Sequence, residues 1–229
     1  MGQFQFDTLD ISNPAPRCPA ILLLDTSGSM EGAPIQELNE GVRQFVRETS
    51  QDEAAGLCTE LEIITYDSTV SVILPFTPIR DVNLSSFPLR ANGRTSMGAA
   101  LQRATQDLRE RRSLYRNKGI SSYRPWVILM TDGAPNDNWQ TAAQEMRTLG
   151  EQGKIEYIGV EIGSSANHAV MCQILPANPG PVRLQGLRFK QIFRWLTDSL
   201  RSVSESTVAE QDNVQFRSIQ SWADLANLR

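Results

Sequence analysis

The sequence is poor in the side chains that carry soft-metal and redox chemistry. It has one histidine, His168, and three cysteines, Cys18, Cys58 and Cys172, widely spaced and odd in number. No CxxC pair occurs, which argues against a zinc knot or a redox dithiol. So few thiols in a chain of 229 residues also argue against a disulfide framework. The expectation is three buried, reduced thiols in a reducing compartment. There is no basic excess either. The 22 Lys and Arg are outnumbered by 26 Asp and Glu, a formal net charge of −4, so the electrostatic footprint of a nucleic-acid binder is missing. The one basic run, residues 109–112 (RERR), reads as a solvated helix face. Apolar runs stop at four or five residues, whereas a membrane helix needs about 20. The opening MGQFQFDTLD shows no positive segment followed by an apolar one, so no secretory leader is expected. These absences predict a soluble, cytoplasmic protein with neither nucleic acid nor membrane as partner.

What is present is an ordinary folded domain. Hydrophobic residues make up 40% and charged residues 21% of the chain, a globular balance. One core suffices at this length. Residues 20–24 (AILLL) are a short apolar run followed at once by polar turn residues, which suits a strand covered on both faces. Pro34 then opens a helix with Ile35, Leu38, Val42, Phe45 and Val46 on one stripe. Strands are expected at 57–66 and 69–74, paired as a hairpin, and a helix over 95–112. Residues 115–124 read as a polar surface loop. A strand at 126–130 precedes a helix capped by Asp137 or Asn138. Strand 155–162, helix 168–175, strand 182–184 and helix 187–203 follow.

This alternation predicts the α/β class: a Rossmann-like three-layer sandwich with a mostly parallel six-stranded sheet, one antiparallel edge strand and helices on both faces. The expected organisation is an N-terminal extension (1–17), one domain (18–203) and a C-terminal tail (204–229) lying against it. The tail's apolar residues are Val214, Phe216, Ile219, Trp222, Leu225 and Leu228, and Trp222 can anchor a partner or dock on its own domain. Trp126, Trp139 and Trp195 are expected to pack in the interior.

Ligands of open α/β sheets bind beyond the carboxyl ends of the strands, and three loops there offer hard oxygen atoms. The first strand runs into Asp25-Thr26-Ser27-Gly28-Ser29. The strand at 126–130 runs into Thr131-Asp132-Gly133. Residues 92–96, Asn-Gly-Arg-Thr-Ser, precede a helix. Asp25, Ser27, Ser29, Thr95 and Asp132 together supply two carboxylates and three hydroxyls. That set suits Mg²⁺, with Mn²⁺ or Ca²⁺ as alternatives. No Cys or His is available nearby to favour zinc. So few charged ligands would leave such a cation an open position for an incoming carboxylate.

Residues 25–29 match the DxSxS motif of von Willebrand factor A domains, also called integrin I-like domains. Thr95 and residues 131–133 match the other two parts of that family's metal-ion-dependent adhesion site. Their order also matches, with separations of about 70 and about 37 residues. The resemblance covers roughly residues 18–203. It implies Ser27, Ser29 and Thr95 as direct metal ligands, with Asp25 and Asp132 binding directly or through water. It further implies a partner protein whose Asp or Glu completes the shell. Residues 22–30, Gly32-x-Pro34-Ile35 and residues 94–101 resemble the bacterial tellurite-resistance TerY type. That type suggests an adaptor in stress response or signalling, with a protein kinase or a metal-dependent protein phosphatase among its partners.

Enzymatic readings fit less well. An aspartyl-phosphate chemistry centred on Asp25 wants a second acid where Ser27 stands. Ser27 and Ser29 lack the Gly-x-Ser-x-Gly elbow. No phosphate loop of the GxxxxGK[ST] kind exists. His168 stands on an expected helix with no acid beside it in sequence, so it is not expected to act as a general base. The expectation is a binding module rather than an enzyme, with a metal-dependent phosphoester hydrolase as the alternative. Met30 and residues 135–138 flank the expected metal and either shape partner choice or only close the loops.

Overall fold

The computed structural model describes Leu9 and residues 12–83, 88–163, 166–178, 180–214 and 223–225. The strands are β1 (Cys18–Asp25), β2 (Thr59–Tyr66), β3 (Val70–Pro78), β4 (Trp126–Thr131), β5 (Glu156–Glu161), β6 (Val182–Leu184) and β7 (Ala223–Leu225). The helices are α1 (Ala33–Gln51), α2 (Glu53–Cys58), α3 (Met97–Lys118), α4 (Gln140–Glu151), α5 (His168–Ile174) and α6 (Phe189–Ser204). The strands form one sheet in the order β3-β2-β1-β4-β5-β6-β7. β1 is parallel to both β2 and β4, and β5 is parallel to β4 and β6. β3 runs antiparallel at one edge.

The strands alternate their side chains between two cores. In β1, Leu22 and Leu24 join the core under α1 and α6, while Ile21 and Leu23 join the one under α3, α4 and α5. Both faces of a central parallel strand are covered, which is why 20–24 reads as an unbroken apolar run. Phe45 of α1 meets Phe193 of α6 with ring centroids 5.7 Å apart. Trp126 and Trp195 meet at 6.3 Å, and Trp139 lies against the second core. These tryptophans are packing residues, as expected.

The six expected strands and the three layers are there. The sheet nevertheless has a seventh strand: β7 pairs antiparallel with β6. The sequence placed these residues in a polar tail, because a three-residue strand has no period to read. By pairing, it covers the edge that β6 would otherwise present. Trp222, Phe216, Ile219 and Leu228 lie outside the described residues. Residues 204–214 are tied back by side chains: Tyr123 Oη donates to the Ser206 carbonyl (2.7 Å), and the Arg124 amide donates to Gln211 Oε1 (2.6 Å).

Two further expectations are corrected. Residues 57–58 end α2 rather than begin β2, because Asp52 caps that helix by accepting from the Ala54 and Ala55 amides. The helix predicted to stop at 112 continues to 118 and ends at Gly119 in a left-handed conformation. Tyr115 is therefore buried rather than on a surface loop. Arg111, in the basic run, is also buried and pairs with Glu60 at 2.6 Å. A guanidinium drawn into an ion pair under a helix looks in sequence like any exposed charge.

The order of the strands fixes where a ligand can sit. Chain connections leave β1 toward β2 on one side and reach β4 on the other, so the carboxyl ends of β1 and β4 flank the switch point of the sheet. Asp25 is the last residue of β1, and Asp132 directly follows β4. Among the described residues no helix is long and apolar enough to cross a membrane.

Candidate metal centre

The site is assembled at this switch point by backbone bonds between three loops. The Asn92 amide donates to the Thr26 carbonyl (2.8 Å), and the Gly28 amide donates to the Gly93 carbonyl (3.1 Å). Gly93 has φ +70°, and a Cβ there would meet Ser68 Oγ at 2.5 Å, so only glycine lets this loop lie so close to the β2–β3 turn. On the other side, the Asn136 amide donates to the Thr95 carbonyl (2.9 Å), and the Thr95 amide donates to Asn136 Oδ1 (2.6 Å). Thr95 is thus held between the first and third loops.

The side chains then converge. Thr131 Oγ1 donates to Asp25 Oδ2 (2.6 Å), and the Ser27 amide donates to Asp25 Oδ1 (2.9 Å). Ser27 Oγ and Ser29 Oγ lie 3.1 Å apart, and Ser29 Oγ donates to Asp132 Oδ1 (2.8 Å). Ser29 and Asp132 are 103 positions apart in sequence. Asp25 is 0% exposed, Ser27 2%, Thr95 6% and Asp132 6%, whereas Ser29 faces solvent. All five sequence-predicted residues therefore belong to three loops joined at one mouth, which opens outward at Ser29.

The electrostatics are unusual for buried acids. Burial pushes Asp25 above the ordinary carboxyl range, against the hydrogen bonds from Ser27 and Thr131 that lower it, and the Asp132 charge adds to the rise. Burial pushes Asp132 up as well, opposed by Ser29. Among the described residues neither carboxylate has an ion pair. Buried carboxylates normally have one. A divalent cation bound by oxygen atoms fits this donor set, since it would supply the missing charge and accept the hydroxyl oxygens. Among the described residues no group of three or more His, Cys, Asp and Glu could hold a metal ion, so the oxygen-rich mouth has no soft-ligand rival there.

Three of the flanking residues have structural contacts. Met30 is fully buried in the core rather than facing the mouth. Asp137 does not cap α4, which begins after Trp139. Its two carboxylate oxygens accept the Gly98 and Ala99 amides, both at 2.9 Å, and so cap α3. Asn136 and Asp137 close the loops that hold Thr95.

Two other expectations fail farther along the sheet. Cys18 and Cys58 are buried, but Cys172 is exposed. His168 does have an acid beside it: Glu161 Oε1 lies 2.6 Å from its Nδ1. Glu161 ends β5 and His168 begins α5, seven positions later. A strand ending in a buried acid with a histidine just across the next loop is a signal the sequence did contain.

The chain resembles solved structures of the same fold. The proximal thread matrix protein 1 from mussel byssus, with a zinc-occupied MIDAS motif, is 18% identical with TM-score 0.57, over 81% of this chain and 48% of that one. The manganese-loaded Plasmodium vivax TRAP protein is 21% identical with TM-score 0.55, over 80% of this chain and 73% of that one. The ArnB paralog VWA2 from Sulfolobus acidocaldarius is 15% identical with TM-score 0.55, over 81% and 46%. This chain spans about half the length of the mussel protein. A comparison with curated proteins finds no match. The sequence model of one family, the von Willebrand factor type A domain, matches residues 21–184, well over half of the chain. With that match, the doubly covered sheet and three loops joined at its switch point, the chain belongs to the von Willebrand factor type A domain family.

Proposed function

We propose that the protein is a divalent-metal-dependent binding module that recognises an acidic side chain of a partner protein. The observation that carries this reading is the pair of desolvated carboxylates, Asp25 and Asp132, with hydroxyls but, among the described residues, no cation beside them. Ser27, Ser29 and Thr95 would hold the ion with their hydroxyls, and Asp25 and Asp132 would hold it directly or through water. Mg²⁺ is the cation proposed, with Mn²⁺ or Ca²⁺ able to replace it. When bound, the ion supplies positive charge at an open coordination position that a carboxylate can fill. The chain's own contribution is orientation. Thr131 and the Ser27 amide fix both oxygens of Asp25, and the Asn136 clamp fixes Thr95. Zinc and manganese in the mussel and Plasmodium proteins support a divalent ion.

The domain is proposed to span residues 18–203, with 1–17 and 204–229 as extensions. On the resemblance of residues 22–30 and 94–101 to the TerY type, the module acts as a cytoplasmic adaptor in a tellurite-resistance or stress-response system, or in kinase–phosphatase signalling. It is proposed to bind rather than catalyse. The test is an affinity capture with wild type and a Ser27→Ala/Ser29→Ala variant, read by mass spectrometry with and without chelator. Partners should be lost in the variant and in chelator. Binding that survives both chelation and Asp25→Ala would falsify the metal-bridged mechanism. Turnover of a phosphoester panel that disappears in Asp132→Ala would instead assign a hydrolase.

A further inference from the structure

A second constellation lies at the same end of the sheet, on β5, the strand next to β4. It starts from a close approach. Gly159 of β5 faces α5, and a Cβ there would fall 2.0 Å from Leu175 Cδ1, so a side chain would lift the helix away. With glycine, Met171 and Ile174 of α5 are fully buried against the sheet. Asn167 caps the helix by accepting the Val170 amide (3.2 Å). This fixes the opposite face of α5, with His168 and Cys172 one turn apart.

The three side chains line up. Cys172 Sγ is 3.4 Å from His168 Nε2, and His168 Nδ1 is 2.6 Å from Glu161 Oε1. Glu161 is fully buried, and its other oxygen accepts from Arg183 Nη2 (2.8 Å) and Nε (3.1 Å). A carboxylate accepts only, so Nδ1 carries the ring proton and Nε2 is left as the acceptor. The thiol therefore donates to Nε2. The sulfur itself is exposed, unlike those of Cys18 and Cys58.

We propose that Cys172 is a nucleophilic thiol at the protein surface, with His168 as its base and Glu161 as the group that orients the base, and that hydroperoxides are its substrates. The arrangement has the parts an activated nucleophile needs: a thiol, a base in reach and a third group holding the base. A metal is the less favoured occupant. Both oxygens of Glu161 are taken by His168 and Arg183, and among the described residues no group of three or more His, Cys, Asp and Glu could hold a metal ion.

The step balances as follows. The thiol proton moves to Nε2 as sulfur attacks one peroxide oxygen. The S–O bond forms and the O–O bond breaks. The leaving oxygen takes the proton back from Nε2 and departs as water or an alcohol. Sulfur is oxidised to the sulfenic acid and the peroxide is reduced. Burial and the Glu161 charge push the Cys172 thiol up. The thiolate therefore forms only as the proton transfers. The buried carboxylate stabilises the imidazolium made in that step. Nothing here depends on the metal centre.

Alkylation of the native chain with iodoacetamide at pH 7.5, resolved by peptide mass spectrometry, measures the reactivity. Cys172 should react while Cys18 and Cys58 stay unmodified, and His168→Gln should slow Cys172 at least about tenfold. Added imidazole should restore the rate in His168→Gly, which a merely structural role would not allow. Hydrogen peroxide in the presence of dimedone should give one adduct, at Cys172, absent in Cys172→Ser. Glu161→Gln should slow the reaction, and for this buried position a thermal melt checks folding. The ¹⁵N spectrum of the single histidine gives an independent readout in wild type: a ring protonated at Nδ1. Equal rates in wild type and His168→Gln, or a ring protonated at Nε2 instead, overturn the proposal.

Discussion

Two acidic clusters are buried at opposite ends of the same sheet, and they are neutralised differently. At the amino end, Glu60 of β2 is 1% exposed and meets Arg111 at 2.6 Å and Arg17 at 3.5 Å, with the Tyr115 hydroxyl also donating to it. At the carboxyl end, Asp25 and Asp132 have hydroxyl and amide donors but, among the described residues, no cation. A buried carboxylate with its own arginine is a closed structural unit. One without is incomplete, and its missing charge has to come from solution. A buried carboxylate is thus a structural part at one end of β1 and β2 and, on the proposed function, a binding part at the other.

Removing the arginine should have the largest effect. Arg111→Met leaves the Glu60 charge only the longer Arg17 contact and should cost about 3 kcal/mol of unfolding free energy, read by urea denaturation. Adding Glu60→Gln to that variant should recover a large part of the loss. Asp25→Asn should behave oppositely, leaving the metal-free protein as stable as wild type or more so, because it removes an unpaired buried charge. A comparable loss in both single variants would erase the contrast. Magnesium sharpens it further. At 100 times its dissociation constant the ion should stabilise wild type by about 2.7 kcal/mol. It should leave Asp25→Asn and Asp132→Asn unmoved, while Arg111→Met should keep its full response in a thermal shift assay.

The two ends were not equally legible in sequence. Asp25, Ser27 and Ser29 alternate along five residues, and Thr95 and Asp132 each stand where an expected strand or helix begins or ends. Loop chemistry at element ends is local information. The amino-end cluster is not local. Glu60 lies in a run that reads as a strand, and Arg111 in a run that reads as a solvated face, so their pairing appears only once α3 crosses β2. The Glu161–His168 bond, by contrast, spans only one strand-to-helix connection of seven positions. Non-locality also hid β7, whose three residues take their conformation from β6. The central strands were read correctly because burial on both faces writes itself into consecutive apolar residues.

Glu62 is an exception to the rule at the amino end, and pH exposes it. It shares a face of β2 with Glu60, yet its Oε2 is buried without a hydrogen-bond partner. Burial first, then the Asp107 charge, push it up from 4.5 to about 9, against Arg103 and Arg111. The folded chain holds this proton after the unfolded chain has released it. Its contribution to stability is therefore full below about pH 4.5 and is lost progressively as pH rises toward 9. Glu62→Gln should remove that loss and be more stable than wild type at pH 8. The difference between the two should shrink to nothing near pH 4. A constant difference across that range would mean that Glu62 is ionised and paired like Glu60.

The smallest effect separates two neighbours at the metal end. Asp137 spends both carboxylate oxygens on the first amides of α3, whereas Asn136 spends its side chain on the Thr95 amide. Asp137→Ala should therefore cost about 1 kcal/mol of stability through the lost cap, and change magnesium affinity little while Asn136 still holds Thr95. Asn136→Ala should do the reverse, weakening magnesium binding more than it weakens the fold. Calorimetric titration of both variants beside their melting curves tests the division of labour. If affinity instead fell in step with stability for both, the loop would be acting as one unit, and the placement of Thr95 would depend on the helix start rather than on the clamp.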